Sequence, residues 1–306
     1  MLYTASMKLH QLQALVGAVE HGSIRAAARE MHLTQAALTK ALRLLEEESG
    51  VALLSRHSRG VLLTDAGQRL HARAQLITRQ MALAEDELLQ SQGGDSGTVF
   101  AGITPYLMLT VLGEAFEWFR RKFPRVEVRL MDGLVTRVLP ALRDGTIDFG
   151  IVADSGDVPR NEFACTALHN DAQKIVVRAE HPVLDRPTVA RVAALEWVLP
   201  GPFSHGMDAD LTAMFTKAGA SPPKQITRCD AMAAMALVRQ SNTVTLMPAP
   251  LLMQPECNGL VELKVPRLHP PQASLVLISR PEVPLTPAAA YLARCLTDAI
   301  GAKAQA

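Results

Sequence analysis

The stretch Ser23-Ile24-Arg25-Ala26-Ala27-Ala28-Arg29-Glu30-Met31-His32-Leu33-Thr34-Gln35-Ala36-Ala37-Leu38-Thr39-Lys40-Ala41-Leu42-Arg43-Leu44-Leu45-Glu46 decides the fold at the N-terminus. Ser23 and Thr34 are good N-cap residues, and each opens an alanine-rich segment of helical character. Two short helices with a tight turn near His32-Leu33 follow. Projected at 3.6 residues per turn, Leu38, Ala41, Leu42 and Leu45 share one narrow arc of the second helix. Gln35, Ala36, Thr39, Lys40 and Arg43 occupy the opposite arc. The first arc reads as core. The second carries an amide, a hydroxyl and two cations with almost no apolar bulk, groups suited to adenine and guanine edges and to phosphates. The small residues Ala26, Ala27, Ala28 and Ala37 would let the helices cross closely, as a helix-turn-helix requires. An ordinary surface helix pair is the plainer alternative.

Residues 8 to 67 resemble the DNA-binding domain of LysR-type transcriptional regulators. The matching stretches are Leu9-x-x-Leu12-x-x-Leu15, Gly22-Ser23-Ile24-x-Ala26-Ala27 and Leu33-Thr34-Gln35-x-Ala37-Leu38-Thr39. They continue with Leu45-Glu46-x-Glu48-x-Gly50-Val51-x-Leu53-Leu54-x-Arg56 and Leu63-Thr64-x-Ala66-Gly67. The family usually has proline where Ala36 stands, and often serine at Thr39 and phenylalanine at Leu54. The resemblance implies that Ser23, Arg25, Thr34, Gln35, Ala36, Thr39, Lys40 and Arg43 face double-stranded DNA. Residues 53 to 63 read as two short strands around His57-Ser58-Arg59-Gly60, a wing from which Arg56 and Arg59 would reach phosphate or minor groove. Residues 8 to 20 read as a first helix, with Leu9, Leu12, Val16 and Val19 on one face.

At 306 residues and 48% apolar, the chain can hold two or three domains. No apolar run approaches the length of a membrane span, nothing at Met1 to Ser6 resembles a signal peptide, and the family-like segment begins at Met7-Lys8. Cys165, Cys229, Cys257 and Cys295 are widely separated, which suits reduced thiols in a cytoplasmic protein better than a metal site or a thiol switch. Net charge is only +1, so DNA binding requires a local basic face rather than a basic chain, and a dimer to multiply few phosphate contacts.

Thr64 caps a long helix running to about Gln92. Leu70, Ala74, Ile77, Met81, Ala84 and Leu88 recur along it at spacings of four and three, a heptad seam through which two copies would pair. Gly93-Gly94-Asp95-Ser96-Gly97 reads as a flexible break. Beyond it strands and helices alternate: a strand over 99–103, a helix from Thr104-Pro105 to about Lys122, a strand over 126–130, a helix over 134–144 and a strand over 147–152. A second set starts near Lys174 and includes 197–199, a helix over 231–240 and 243–247. The strand at 275–279 and a helix over 287–300 return to the first set. Two α/β lobes with two crossings resemble the effector domain of the same family, which is itself similar to periplasmic solute-binding proteins. Its echoes are Phe123-Pro124-x-Val126-x-Val128, Leu142-x-x-Gly145-x-Ile147-Asp148-Phe149-Gly150-Ile151-Val152 and His181-Pro182. Ser241-Asn242-Thr243 stands where the family often shows Gly-x-Gly.

The expected organisation is therefore a winged helix-turn-helix at 1–66, a linker helix for dimerisation at 67–92, a hinge at 93–97, effector lobe one at 98–167 and 268–306, and lobe two at 168–267. The expected function is sequence-specific transcription regulation by a cytoplasmic homodimer or homotetramer under a small-molecule effector. In such a fold Thr104 and Pro105 at the first strand–helix junction, with Tyr106, are the candidates for one wall of the effector cleft. Phe203, Ser204, His205, Asp230, Met247 and Pro248 are the candidates for the other. A small organic anion with an apolar or aromatic part would match both walls. No catalytic constellation, cofactor motif or metal-ligand spacing is present in the sequence. The rival is a solute-binding or enzymatic α/β protein whose N-terminal helices serve only assembly. The exposed Gln35–Arg43 face discriminates, because assembly would not need it.

Overall fold

The computed structural model describes residues 7–57, 60–201 and 205–304. It divides into two compact units, Met1–Leu88 and Leu89–Ala306.

In the N-terminal unit, helices α1 (Leu9–Glu20), α2 (Ile24–Glu30) and α3 (Gln35–Ser49) close on a core of Leu12, Leu15, Ala27, Leu38, Leu42 and Leu45. Helix α1 is buried on more of its circumference than a single stripe, Ala14, Leu15 and Ala18 being inaccessible, so it lies at the centre of the unit. Helix α2 ends in a Schellman motif. The Leu33 N–H donates to the Ala28 carbonyl at 2.8 Å, the His32 N–H to Arg29 at 3.2 Å, and His32 takes the left-handed φ of 55°. That turn aims α3. Ala27 and Ala28 are buried at the crossing as expected, whereas Ala37 is exposed and takes no part in it.

Strands β1 (Leu54–His57) and β2 (Gly60–Leu63) pair antiparallel from Leu54 opposite Leu63 to His57 opposite Gly60. Helix α4 (Asp65–Ser91) begins immediately after the wing. Its first turn presses so close to the wing's base that a Cβ at Gly67 would stand 2.0 Å from the Leu53 carbonyl oxygen.

The C-terminal unit is built on a seven-stranded mixed sheet. Strand β3 (Thr98–Ile103) lies parallel between β4 (Glu127–Asp132) and β5 (Phe149–Asp154). The 15-residue β6 (Ala164–Arg178) is longer than the strand expected near Lys174. Its first half pairs antiparallel with β11 (Gln272–Ser279), which also borders β5, and its second half with β9 (Thr245–Pro248) and β10 (Leu260–Glu262). One strand thus serves both lobes. Lobe two adds a parallel pair, β7 (Trp197–Pro200) and β8 (Ile226–Cys229).

Helices cover the sheet. The expected helix from Pro105 to Lys122 is two, α5 (Pro105–Thr110) and α6 (Leu112–Lys122), broken at Val111, whose φ of −125° is not helical. Helix α7 (Val135–Arg143) covers the other side of lobe one. In lobe two, α8 (Val189–Ala193) and α9 (His205–Lys217) enclose Trp197, which meets Phe215 edge-on at 5.6 Å. Helix α10 (Ala231–Gln240) and the short α11 (Ala249–Leu252) follow. Helix α12 (Pro287–Ala304) returns to lobe one, where Tyr291 packs 5.7 Å from Phe123 and 6.4 Å from Phe119.

Candidate functional site

The exposed side of α3 is the first candidate surface. Gln35, Ala36, Lys40 and Arg43 are exposed and Thr39 is half-exposed, while Leu38, Leu42 and Leu45 are buried on the opposite side. Truncating a buried leucine here would cost about 2–5 kcal/mol, so the two faces are separable by mutation. Thr34 accepts the Ala37 N–H and Ser23 the Ala26 N–H, both at 3.1 Å. Those hydroxyls cap α3 and α2 and fix where each helix begins. Arg25 is exposed on α2. Arg43 lies 3.4 Å from Glu47, an exposed i,i+4 pair that exchanges cheaply for another partner.

Glu46 was not anticipated as a positioning residue. One of its carboxylate oxygens accepts both the Leu53 and Leu54 N–H groups, at 2.8 and 3.0 Å, tying the end of α3 to the start of the wing. Arg56 lies on β1; Arg59 lies outside the described residues.

The expected seam on α4 divides in two. Ala74 is inaccessible and Leu70 half-buried, both packed into the helix-turn-helix core. They are corrected to intrachain packing, because the start of the helix does have a domain of its own to rest on. Ile77, Met81, Ala84 and Leu88 are exposed. The segment read as a flexible break is tied down. The Gln90 side chain donates to the Ser96 carbonyl at 2.9 Å and accepts the Ala288 N–H at 2.9 Å, and Asp95 pairs with Arg125. That pairing holds the Asp95 carboxyl below its usual range.

The second candidate is a cleft of about 430 Å³ between the lobes of the C-terminal unit. Thr104, Pro105, Tyr106, Met247 and Pro248 line it, together with Leu134, Met207, Met232, Met235 and Gln173. Thr104 is buried but makes no side-chain cap; its carbonyl takes the Leu107 N–H at 3.0 Å, so the hydroxyl is not spent on α5. Tyr106 presents its ring to the cleft and donates its hydroxyl to buried Asp171, against whose other oxygen His169 Nε2 stands at 3.5 Å. Burial and this carboxylate push the Tyr106 hydroxyl far above its ordinary pKa. Asp230 is corrected to an N-cap: it accepts the Ala233 N–H at 2.8 Å and is not among the lining residues. Phe203 and Ser204 lie outside the described residues, as does the side chain of His205. Among the described residues, no Lys, Arg or His lines the cleft, so the expected anion finds no cation there. No group among them could hold a metal, and no helix is long and apolar enough to cross a membrane.

Residues 9–68 match the family model described as the bacterial regulatory helix-turn-helix protein of the lysR family, and residues 92–301 match the LysR substrate binding domain. The chain belongs to the LysR family of transcriptional regulators. It is a DNA-binding transcription regulator with an effector-binding domain. Among LysR-family relatives it is 26% identical over 263 residues to the HTH-type transcriptional regulator TdcA of Escherichia coli K12, covering 86% of this chain and 84% of that one. It is 29% identical to the hydrogen peroxide-inducible genes activator of Pectobacterium carotovorum, covering 91% and 92%. The crystal structure of CbnR, a LysR family regulator, superposes with a TM-score of 0.67 at 21% identity, over 96% of this chain and 99% of that one. A second structure holds full-length CbnR complexed with its target DNA. At that identity the likeness speaks for the LysR fold alone.

Proposed function

We propose that this regulator reads operator DNA with Gln35, Thr39, Lys40 and Arg43, steadied by phosphate contacts from Ser23, Thr34, Arg25 and the wing. The observation that carries this reading is the α3 face itself, polar and cationic and exposed beside a buried leucine stripe. CbnR, of the same fold, has been seen on its target DNA. Two copies pair through the exposed Ile77, Met81, Ala84 and Leu88, and effector domains join dimers into a tetramer, all in the cytoplasm. The domain limits expected above, with the helix-turn-helix ending near 66 and lobe two spanning 168–267, serve this arrangement.

The effector is a small molecule with an apolar or aromatic part, bound in the cleft between lobes. Its binding shifts the regulator only as far as it prefers one arrangement of the domains. Burial pushes the thiols of Cys229, Cys257 and Cys295 up. The test is Thr104→Val, which keeps shape and removes the hydroxyl at a cost of about 1–3 kcal/mol in ligand binding. Operator binding should persist while reporter response to effector is lost; an intact response would move the effector elsewhere.

A further inference from the structure

The cleft's walls carry charge of one sign. Three carboxylates line it, Asp157, Asp210 and Glu256, and no cation does among the described residues. The cations beside the walls are already engaged. Arg160 holds Asp154 at 2.6 Å, Arg228 holds Asp208, and Lys174 holds Glu262 at 3.0 Å. Arg137, exposed on α7, is near enough to Asp132 to act on its charge, and neither residue lines the cleft. One further lining acceptor has no donor: Gln173 Oε1 is shielded from solvent without a hydrogen-bond partner, as is Oδ1 of Asp132, which precedes the lining residue Gly133. Burial, partly offset by Arg137, raises the Asp132 pKa, with Asp230 adding to the rise. Of the three lining carboxylates, Asp157 accepts the Gly206 N–H and Glu256 is exposed at the rim. Asp210, half-buried on α9, has no ion pair among the described residues.

The rest of the wall is apolar and soft, with Met108, Met207, Met232, Met235 and Met247 contributing five thioethers. Unbranched methionines adapt to irregular or flat shapes and pack favourably on aromatic rings. A carboxylate placed here would leave water for a pocket that repels it, whereas an ammonium would gain a counter-charge at reduced dielectric. On the reading that this cleft is the effector site, we propose that it selects an apolar or aromatic ligand bearing a positive charge or hydrogen-bond donors, with Asp210 as counter-ion, and discriminates against carboxylates.

The test uses three probes of one shape: 1-naphthoate, 1-naphthylmethanol and 1-naphthylmethylamine. Each is titrated into the full-length protein by calorimetry, with thermal shift alongside. The amine should bind about tenfold or more tighter than the carboxylate, the alcohol falling between them. Asp210→Asn should erase the amine's lead over the alcohol and leave the alcohol's affinity within about twofold. Naphthoate binding as tightly as the amine, or no binding by any probe at millimolar concentration, would overturn the proposal. An amine lead unchanged in Asp210→Asn would overturn the counter-ion assignment. Leu134→Trp, and independently Met232→Trp at the exposed rim, narrow the cleft and should weaken the amine. If neither does so while both fold, the ligand sits elsewhere and the effector-site reading itself fails. If both do so but naphthoate wins, only the charge inference fails.

Discussion

The Gly206 N–H donates to Asp157 Oδ1 at 3.1 Å, joining the first turn of α9 in lobe two to the segment just after β5 of lobe one. The approach is so close that a Cβ on Gly206 would stand 2.3 Å from the Ser155 carbonyl oxygen. Backbone on both sides leaves no flexible atom to yield. Gly206→Ala should therefore push the lobes apart, costing the effector domain about 1–3 kcal/mol and weakening any ligand that spans the cleft. Denaturant unfolding and probe titration check this; unchanged values for both would mean the contact is not kept in solution.

His181 is buried, and its Nδ1 accepts the Val183 N–H at 3.0 Å, which a protonated ring could not do. Burial lowers its pKa below 6.5, reinforced by Arg178 and Arg191 and partly opposed by a backbone contact to Asn242. Because the folded value is depressed, the unfolded chain takes up the proton first as pH falls. Stability should be flat above about pH 6.5 and decline below it, levelling off under the folded value. Both tryptophans, Trp118 and Trp197, lie in the C-terminal unit, so their fluorescence follows that unit's unfolding. His181→Asn keeps a capping acceptor without a titrating group and should flatten the decline; an equally steep decline in the variant would assign it to another group.

Ile77→Asp with Met81→Asp should convert the assembly to smaller species by placing like charges across the proposed seam. Both side chains are exposed in the single chain, so folding should be unaffected. Sedimentation reads the outcome, and an unchanged assembly would exclude α4 as the pairing surface.

Much of this was legible because local signals agreed. Ser23 and Thr34 cap where their chemistry predicts, and α10 runs from Ala231 to Gln240 as its pattern implies. The heptad on α4 misled at its start, since a period records an apolar stripe but not whether the stripe meets its own chain or another. The first half of β6 was invisible because Thr166, His169 and Asn170 face partly exposed ground and break any apolar run. The break at Val111 lies inside a largely apolar stretch, interrupted only by Thr110, with no proline to announce it. The cleft was legible only at its strand ends: Gln173, Met207 and Asp210 come together through topology, which no spacing records.

The central claim, that the polar face of α3 reads base sequence, is tested most directly by selection from a random duplex library. The wild-type protein should enrich one dyad-symmetric sequence, as a paired reader requires. Gln35→Ala and Arg43→Ala should each weaken binding to that sequence by about 1–3 kcal/mol relative to random DNA, and the folded double variant should enrich nothing. Enrichment of the same sequence by the double variant, or of none by the wild type at low salt, would contradict it.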